Sequence, residues 1–358
     1  MTNGANHTGT IPVGDLDLWS FTATQGEALI VAMAETQGDA DFTPWIRLFA
    51  PNGDLVQDNW DGTAVQHARV APSTGTYTLV VGTRDVGTDA SGSYRLTLAK
   101  SPGAFTVPGG DEGGPMTRGV NHTGAITVGD LDLWSFTATQ GDAIIIAMAE
   151  TQGDADFTPW IRLYGPTGSL VQDNWDGTAV QHGRVAPATG SYTLVVGTRD
   201  VGADASGSYR LTLALLPGSH VVGAGDQGGP VSIPGPSTGN IHVGDLDTWT
   251  FTAPQGTTFI VSMSEVSGDA DFTPWIRVFG PNGALVGENW DASVTQLSRT
   301  ASATGTFYVV VGTRNVGADA QGNYTLTVTG SGVSSRVAPI VTPSAGARPG
   351  SRRGAGGR

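Results

Sequence analysis

Long repetition without gaps is the feature that most constrains this chain. Gly-Asp-Leu-Asp begins at Gly14, Gly129 and Gly244, and Gly-Asp-Ala-Asp-Phe-Thr-Pro-Trp-Ile-Arg begins at Gly38, Gly153 and Gly268. Both strings therefore recur with a step of 115 residues. A fixed step without insertions predicts three copies of one structural unit, each able to contact its neighbours in the same way.

Each copy reads as a series of short strands joined by turns. Apolar and polar residues alternate in segments such as 18–22 and 76–81, and the chain carries 53 Gly and 20 Pro but only 14% charged residues. About eight strands per copy, with turn signals about every 8 to 12 residues, are typical of a sandwich or jelly roll. The pattern predicts an all-β fold of three tandem jelly-roll-like β-sandwich domains.

The register of the repeat sets the expected domain boundaries. We expect sandwiches at 1–101, 116–216 and 236–330, linkers at 102–115 and 217–235, and a tail at 331–358. The linkers are rich in Gly and Pro but contain apolar residues such as Phe105 and Val107, which indicates packing against a neighbour. The tail has five Arg and no acid and is predicted to be disordered and basic.

Charge and cysteine content exclude several classes of function. With 18 basic and 32 acidic residues the net charge is −14, so the chain would repel nucleic acid and anionic lipid surfaces. The sequence has no Cys, which removes disulfides, thiol nucleophiles and zinc-thiolate sites. No apolar run is long enough to predict a membrane span.

Histidine usage argues against catalysis. His7 and His122 are replaced by Ser237 in the third copy, and His67 and His182 are replaced by Leu297. No histidine is therefore shared by all three copies, and no general base recurs. We expect a non-enzymatic protein.

The first residues correspond to the interior of a repeat. Residues 1–9 align with 116–124, whereas the linker segment 109–115 has no counterpart ahead of Met1. We expect the natural protein to extend upstream, with further repeats and a secretion signal. This expectation, with the composition, predicts an extracellular or cell-surface location.

The repeat resembles a known bacterial family. The segments Gly-Asp-Leu-Asp-Leu-Trp-Ser-Phe-Thr-Ala, Leu-Phe-Ala-Pro-Asn-Gly, Gly-Thr-Tyr-Thr-Leu-Val-Val-Gly and Gly-Ser-Tyr-Arg-Leu-Thr-Leu, in this order, are similar to the pre-peptidase C-terminal domain. The likeness covers all three copies and implies secreted, non-catalytic jelly-roll modules. Relatives in clostridial collagenases bind collagen and Ca²⁺, but no protease domain is attached here.

Paired aspartates are the candidate metal ligands. Each Gly-Asp-Leu-Asp turn supplies two carboxylates one residue apart, an arrangement that suits the oxygen ligands of Ca²⁺. The resemblance also implies Ca²⁺ near this strand. The candidate ligands are Asp15, Asp17, Asp130, Asp132, Asp245 and Asp247. The alternative is that these aspartates cap backbone N–H groups without a metal. A second pair, Asp39 and Asp41, could add ligands at the same end.

Tryptophan and arginine recur at fixed positions. In the first copy these are Trp19, Trp45, Trp60, Arg47 and Arg84, and each has counterparts 115 and 230 residues later. An Arg on a strand can lie over an aromatic face or pair with a carboxylate. We expect structural or inter-repeat roles, with a carbohydrate-binding platform as the alternative.

Regular spacing favours a structural function. Equal steps produce equivalent contacts along an axis, and head-to-tail contacts that do not close produce a fibre. We expect an extracellular array serving as a surface filament, stalk or adhesin segment, with copies of itself or neighbouring repeats as partners. The alternative is a Ca²⁺-dependent module that binds collagen or polysaccharide and targets a secreted hydrolase.

Overall fold

The computed structural model describes residues 1–38, 41–85, 87–88, 90–153, 157–200, 205–315, 317 and 320–335. All regular structure in these residues is β-strand, which confirms the all-β prediction. The same residues contain no helix that could cross a membrane.

The strands fall into three groups with one pattern. The first group comprises β1 (Asn6–Ile11), β2 (Asp17–Ala23), β3 (Ala28–Gly38), β4 (Pro44–Phe49), β5 (Leu55–Trp60), β6 (Ala64–Val70), β7 (Gly75–Thr83) and β8 (Gly92–Ser101). The second comprises β9 (Gly113–Pro115), β10 (Asn121–Ile126), β11 (Asp132–Ala138), β12 (Ala143–Gly153), β13 (Pro159–Tyr164), β14 (Leu170–Trp175), β15 (Ala179–Val185), β16 (Gly190–Thr198) and β17 (Gly207–Leu216). The third comprises β18 (Gly228–Pro230), β19 (Ser237–Ile241), β20 (Asp247–Ala253), β21 (Thr258–Gly268), β22 (Pro274–Phe279), β23 (Leu285–Trp290), β24 (Val294–Thr300), β25 (Gly305–Thr313) and β26 (Gly322–Gly330).

Each group forms two sheets with jelly-roll connections. In the first repeat the strand orders are β1-β8-β3-β6 and β2-β7-β4-β5. The later repeats keep both orders, and each adds one short linker strand, β9 or β18, in parallel to β11 or β20. Linker residues are therefore part of the following sandwich.

Each repeat has its own apolar core between its two sheets. In the second repeat this core includes Ile144, Ile146 and Met148 from one face of β12, and every buried residue in it lies within Met116–Leu215. The cores of the first and third repeats are likewise internal. A sandwich of about 100 residues can bury enough surface to fold as a unit.

The other face of β12 explains why its sequence does not alternate. Ala143, Ile145 and Ala147 point away from the core of repeat two and pack against Phe279 and other residues of repeat three. A strand that is buried on both faces reads as a continuous apolar run. The equivalent strand of repeat three, β21, has its outer face uncovered and alternates between buried and partly exposed residues.

The junction between repeats one and two is built in the same way. Its cluster joins Ala28, Ile30, Ala32 and Ala99 of the first repeat to Leu131, Leu133, Tyr164 and Val195 of the second. The outer face of one sandwich therefore packs on the outer face of the next. Six sheets follow one another along the molecule, with a buried apolar layer between each neighbouring pair.

The start of the predicted tail is attached to the third repeat. Ser334 accepts a backbone hydrogen bond from Thr252 at 2.9 Å and donates one back at 3.0 Å. Residues 336–358, the larger part of the predicted tail, lie outside the described residues.

The junction layer predicts different effects for two equivalent leucines. Leu133 is 2% exposed at the first junction, whereas Leu18, its counterpart in repeat one, is 72% exposed. We expect Leu133→Ala to lower the free energy of unfolding by about 2 to 3 kcal/mol, because it removes buried contacts and leaves a cavity.

Leu18→Ala is the matched control and is expected to change the free energy of unfolding by less than about 0.5 kcal/mol. Urea unfolding followed by tryptophan fluorescence measures both. Equal effects of the two substitutions would contradict the assignment of Leu133 to a stabilising junction.

Candidate metal centre

The paired aspartates lie in a tight turn at the start of a central strand. Gly129 opens this turn with a φ of 78°, a conformation that favours glycine. The first aspartate caps its own turn, since Asp130 Oδ1 accepts a hydrogen bond from the Leu131 N–H at 2.8 Å. The capping alternative is thus realised for one oxygen of the pair, and the remaining oxygens are available for other contacts.

A third carboxylate joins the pair from the linker. Asp111 lies just ahead of β9, and its carboxylate meets those of Asp130 and Asp132 with one ligand atom from each residue within 4.8 Å of the others. Asp226, Asp245 and Asp247 form the same arrangement at the second junction. These two triads are positioned to hold a metal ion.

A chain of hydrogen bonds fixes the second aspartate of each pair. Trp134 Nε1 donates to Tyr209 Oη at 2.9 Å, and Tyr209 Oη donates to Asp132 Oδ2 at 2.5 Å. The tyrosine fits here because Gly124 has no side chain. A Cβ on Gly124 would lie only 2.4 Å from Tyr209 Oη. The tryptophan and tyrosine thereby orient Asp132 toward the linker carboxylate.

The other oxygen of this aspartate has no hydrogen-bond partner. Asp132 is 1% exposed, and its Oδ1 is buried without a donor among the described residues. Asp247 Oδ1 likewise has no N–H or hydroxyl donor at the second junction, where the Asp247 carboxyl lies within hydrogen-bonding reach of the Asp226 carboxyl. A buried polar atom without a partner destabilises the folded state unless a ligand or ion satisfies it. The unpartnered oxygens therefore point independently to a ligand at each triad.

Burial and mutual repulsion shift the pKa values of these acids. Burial, reinforced by the charge of Asp130, raises the pKa of Asp132 to about 10. Burial and the charge of Asp111 raise the pKa of Asp130 to about 6. The pKa values of Asp245 and Asp247 are raised by the same causes, that of Asp245 to about 6. A bound cation would offset this repulsion and favour the ionised forms.

The preceding repeat completes the surroundings of each triad. Asn6 of the first repeat donates from Nδ2 to Asp111 Oδ2 at 3.3 Å. The Thr97 hydroxyl donates to the Gly129 carbonyl at 2.9 Å, and the Arg95 guanidinium donates to Thr127 Oγ1. The site is therefore assembled from one repeat, the linker and the next repeat.

The first repeat carries only part of this arrangement. Asp15 is exposed and Asp17 is half-buried, and no linker carboxylate lies beside them among the described residues. Their local geometry is nevertheless intact: Trp19 Nε1 donates to Tyr94 Oη at 2.8 Å, and Tyr94 Oη donates to Asp17 Oδ2 at 2.6 Å. Trp19 is thus placed as an orienting residue. Asp39 of the second predicted pair lies outside the described residues.

The remaining predicted residues form a stack of rings and guanidinium groups at another edge of each sandwich. Arg47 Cζ lies 3.9 Å from the centroid of the Trp45 ring, and Arg84 Cζ lies 5.5 Å from that of Trp60. Such contacts stabilise by roughly 0.5 to 1 kcal/mol at exposed sites. The stack recurs in the later repeats, where it borders the preceding repeat.

A groove opens beside this stack at the second junction. It has a volume of 690 Å³ and is lined by Trp275, Trp290, Arg277 and Arg314, with repeat two forming the opposite wall. Arg277 is buried, and its Nε and Nη2 have no partner among the described residues. The groove combines aromatic surface with unsatisfied cationic donors.

The linker acids and the orienting tyrosines are not among the residues predicted from the sequence. Asp111 and Asp226 are spaced by 115 residues and precede Gly-Gly-Pro in both linkers, so their repetition was visible in the sequence. Only the position of β9 and β18 beside the central strands shows that these acids reach the paired aspartates. The tyrosines lie about 77 residues from the aspartates they contact, and no local pattern connects them.

Comparisons with known proteins do not assign the chain to a family. No family model matches it, and no curated protein matches it. Among solved structures, the chain is similar to a DUF4785 family protein from Legionella pneumophila, at 11% identity and a TM-score of 0.18. That similarity covers 93% of this chain and 90% of the other, and at this TM-score it supports no functional argument.

The raised pKa of Asp132 predicts an unusual pH dependence. Because its folded pKa of about 10 lies above the unfolded value of about 3.9, the metal-free folded chain binds more protons than the unfolded chain between about pH 4 and pH 10. The contribution of this group to stability is therefore present in acid and is lost as pH rises, by up to about 1.4 kcal/mol per pH unit.

We expect Asp132→Asn to remove this loss in the presence of a chelator, so that the variant gains stability over the parent chain as pH rises. Thermal unfolding across the pH range measures both chains, and parallel profiles for the parent and Asp132→Asn would contradict the burial of a protonated carboxyl.

Proposed function

We propose that this protein is a non-catalytic structural array whose successive β-sandwich domains are locked together by divalent cations. The observation that supports this function is the pair of acid triads at the junctions, each with a buried and unpartnered carboxylate oxygen. The carboxylates of each triad come from the linker and the following repeat, and an Asn of the preceding repeat donates to the linker acid, so a cation there would fix the linker that joins two neighbouring repeats.

We propose Ca²⁺ as the cation. Ca²⁺ takes oxygen ligands and tolerates irregular coordination, whereas Mg²⁺ requires near-ideal octahedral geometry and usually keeps several waters. Each triad brings one oxygen from each of three carboxylates within 4.8 Å of one another, which suits a hard cation with flexible coordination.

The buried histidines support a non-catalytic role. His67 lies in the core, where its Nε2 is 3.1 Å from the Ile46 carbonyl and burial lowers its pKa to about 4. His182 is placed in the same way in repeat two, and Leu297 fills the position in repeat three. A residue that leucine can replace in an equivalent core acts as a packing residue.

The proposed biological setting is extracellular. The resemblance of the repeats to pre-peptidase C-terminal domains favours secretion, and millimolar Ca²⁺ outside cells would suit junction sites of modest affinity. We propose that the array serves as a stalk, filament or adhesin segment that holds its ends at a fixed separation. Rigid junctions matter for such a role because loosely linked domains would rotate freely.

The proposal predicts two Ca²⁺ ions per chain. Isothermal titration calorimetry is expected to give a stoichiometry of two, and Ca²⁺ at 100 times its dissociation constant is expected to stabilise the chain by about 2.7 kcal/mol per site. Asp111→Asn together with Asp226→Asn should abolish binding, because these acids contribute the linker ligand at each junction.

The matched control for this experiment is Asp15→Asn with Asp17→Asn, which is expected to retain both ions. The absence of heat and of any thermal shift with Ca²⁺ would contradict the proposal, and so would two ions that remain bound in the linker variant.

A second candidate function is binding of an acidic polysaccharide in the groove at the second junction. The unpartnered Arg277 nitrogens favour this function, because a guanidinium pairs well with a carboxylate and the neighbouring Trp rings can stack on a sugar. Such binding fits a polymer-targeting module. The Arg314 guanidinium lies 5.1 Å from the Trp290 ring centroid and occupies part of the space beside that ring.

Affinity electrophoresis in gels that contain polygalacturonate tests this function. We expect Trp290→Ala to weaken retardation about tenfold, whereas Trp60→Ala should have no effect, although Trp290 and Trp60 have similar exposures of 47% and 53%. Dextran gels serve as the neutral control. Equal mobility of the parent chain with and without polygalacturonate would rule out this function.

A further inference from the structure

The outer sheet of the first repeat presents an uncovered junction surface. This surface, here called the head face, consists of Leu16, Leu18, Phe49 and Val80 on the sheet β2-β7-β4-β5. Leu16 is 49% exposed and Leu18 is 72% exposed, whereas their counterparts Leu131 and Leu133 are 1% and 2% exposed. Exposed apolar groups of this size, equivalent to residues that are buried at an internal interface, mark an interaction surface.

The strand at this face also has an open edge. β11 and β20 each pair with a linker strand, but among the described residues β2 pairs only with β7. The Met1 amino group donates to the Ser20 carbonyl at 2.5 Å, as the Met116 N–H donates to Ser135 at 2.7 Å. The edge of β2 at residues 18–20 therefore corresponds to the segment that receives a Gly-Gly-Pro strand at both internal junctions.

Asp15 and Asp17 form the matching part of a cation site. Asp17 is held by Tyr94 as Asp132 is held by Tyr209. The linker acid that completes each internal triad, and the Asn of the preceding repeat that donates to that acid, have no counterparts beside Asp15 among the described residues. The head face thus combines an apolar patch, an open strand edge and two ligands of a three-carboxylate site.

The last sheet of a second identical chain does not complement this face. In repeat three the residues equivalent to Ala28, Ala32 and Ala99 are Thr258, Ser262 and Thr329. Pro236 and Thr325 replace Asn6 and Arg95, which contact the next repeat at the first junction. The complementary faces of repeats one and two are already covered.

We propose that the head face docks the final sheet of a further β-sandwich repeat, with a composition like that of repeats one and two. The partner supplies alanines and isoleucine against Leu16 and Leu18, and an Asp-Xaa-Gly-Gly-Pro segment along β2. The partner's aspartate completes a cation site with Asp15 and Asp17. This joint repeats the internal junctions and rests on the proposed cation-locked array.

The chain itself provides a probe for this docking surface. Residues 116–230 comprise repeat two, whose core is internal, and the following linker with Asp226 and the strand Gly228–Pro230. Leu133→Asp in the probe prevents it from pairing with itself. Analytical ultracentrifugation of the full chain with this probe is expected to show a 1:1 complex in the presence of Ca²⁺. The dissociation constant of this complex should rise at least tenfold when a chelator replaces Ca²⁺, or when the full chain carries Leu18→Asp.

A second measurement keeps the full chain intact. Placing the sequence of residues 103–115 ahead of Met1 supplies the linker acid and strand, and the Ca²⁺ stoichiometry is expected to rise from two to three. Substitution of the added aspartate by Asn should return the stoichiometry to two.

The docking proposal is overturned if the folded probe forms no complex, if Leu18→Asp leaves the complex unchanged, or if the extended chain still binds two ions. The stoichiometry of the unmodified chain separates the two proposals. Two ions without docking retain the proposed function and reject the docking surface, whereas no bound ion rejects the cation-locked array itself.

Discussion

Packing of one sandwich's outer face against the next is the interaction on which the rest of the structure depends. Strands β3 and β12 are buried on both faces, and their apolar runs Leu-Ile-Val-Ala-Met and Ile-Ile-Ile-Ala-Met would expose a hydrophobic sheet if the repeats were separated. The linkers follow from this contact, because they run along the next sheet as strands. The boundary between neighbouring domains in this protein is therefore a buried apolar interface.

The stability of the same contact also depends on the charge of the triad carboxylates. The linker strand brings the three carboxylates of a triad together, and the closed junction buries them, which disfavours their ionised forms. Apolar packing favours closure at any cation concentration, whereas the acids favour it only when they are protonated or bound to an ion. The two contributions together would let solution conditions control stiffness without altering the fold of a single sandwich.

The fold can be predicted from the sequence because alternation, turn residues and the three-fold repeat all agree within each unit. A local motif identifies Asp130 and Asp132 as candidate ligands, but the same motif gives Asp15 and Asp17 the same prediction. The structure separates them, because repeat one covers the turn of repeat two, whereas no described residues cover the turn at Asp15 in the same way. Asp111 follows the same 115-residue step as the turn, but Tyr209 and Asn6 come from distant segments, and no local pattern shows that any of the three reaches the turn.

The parallel linker strand also bears on how such a chain can change length. The 115-residue unit contains one sandwich, one linker strand and the linker aspartate of one triad, so a single in-frame duplication adds a complete domain together with its joint. No compensating change is needed elsewhere, since every new surface meets a copy of its former neighbour. Such a protein can therefore lengthen by whole repeats, and the near identity of the first two copies is the expected result of a recent duplication.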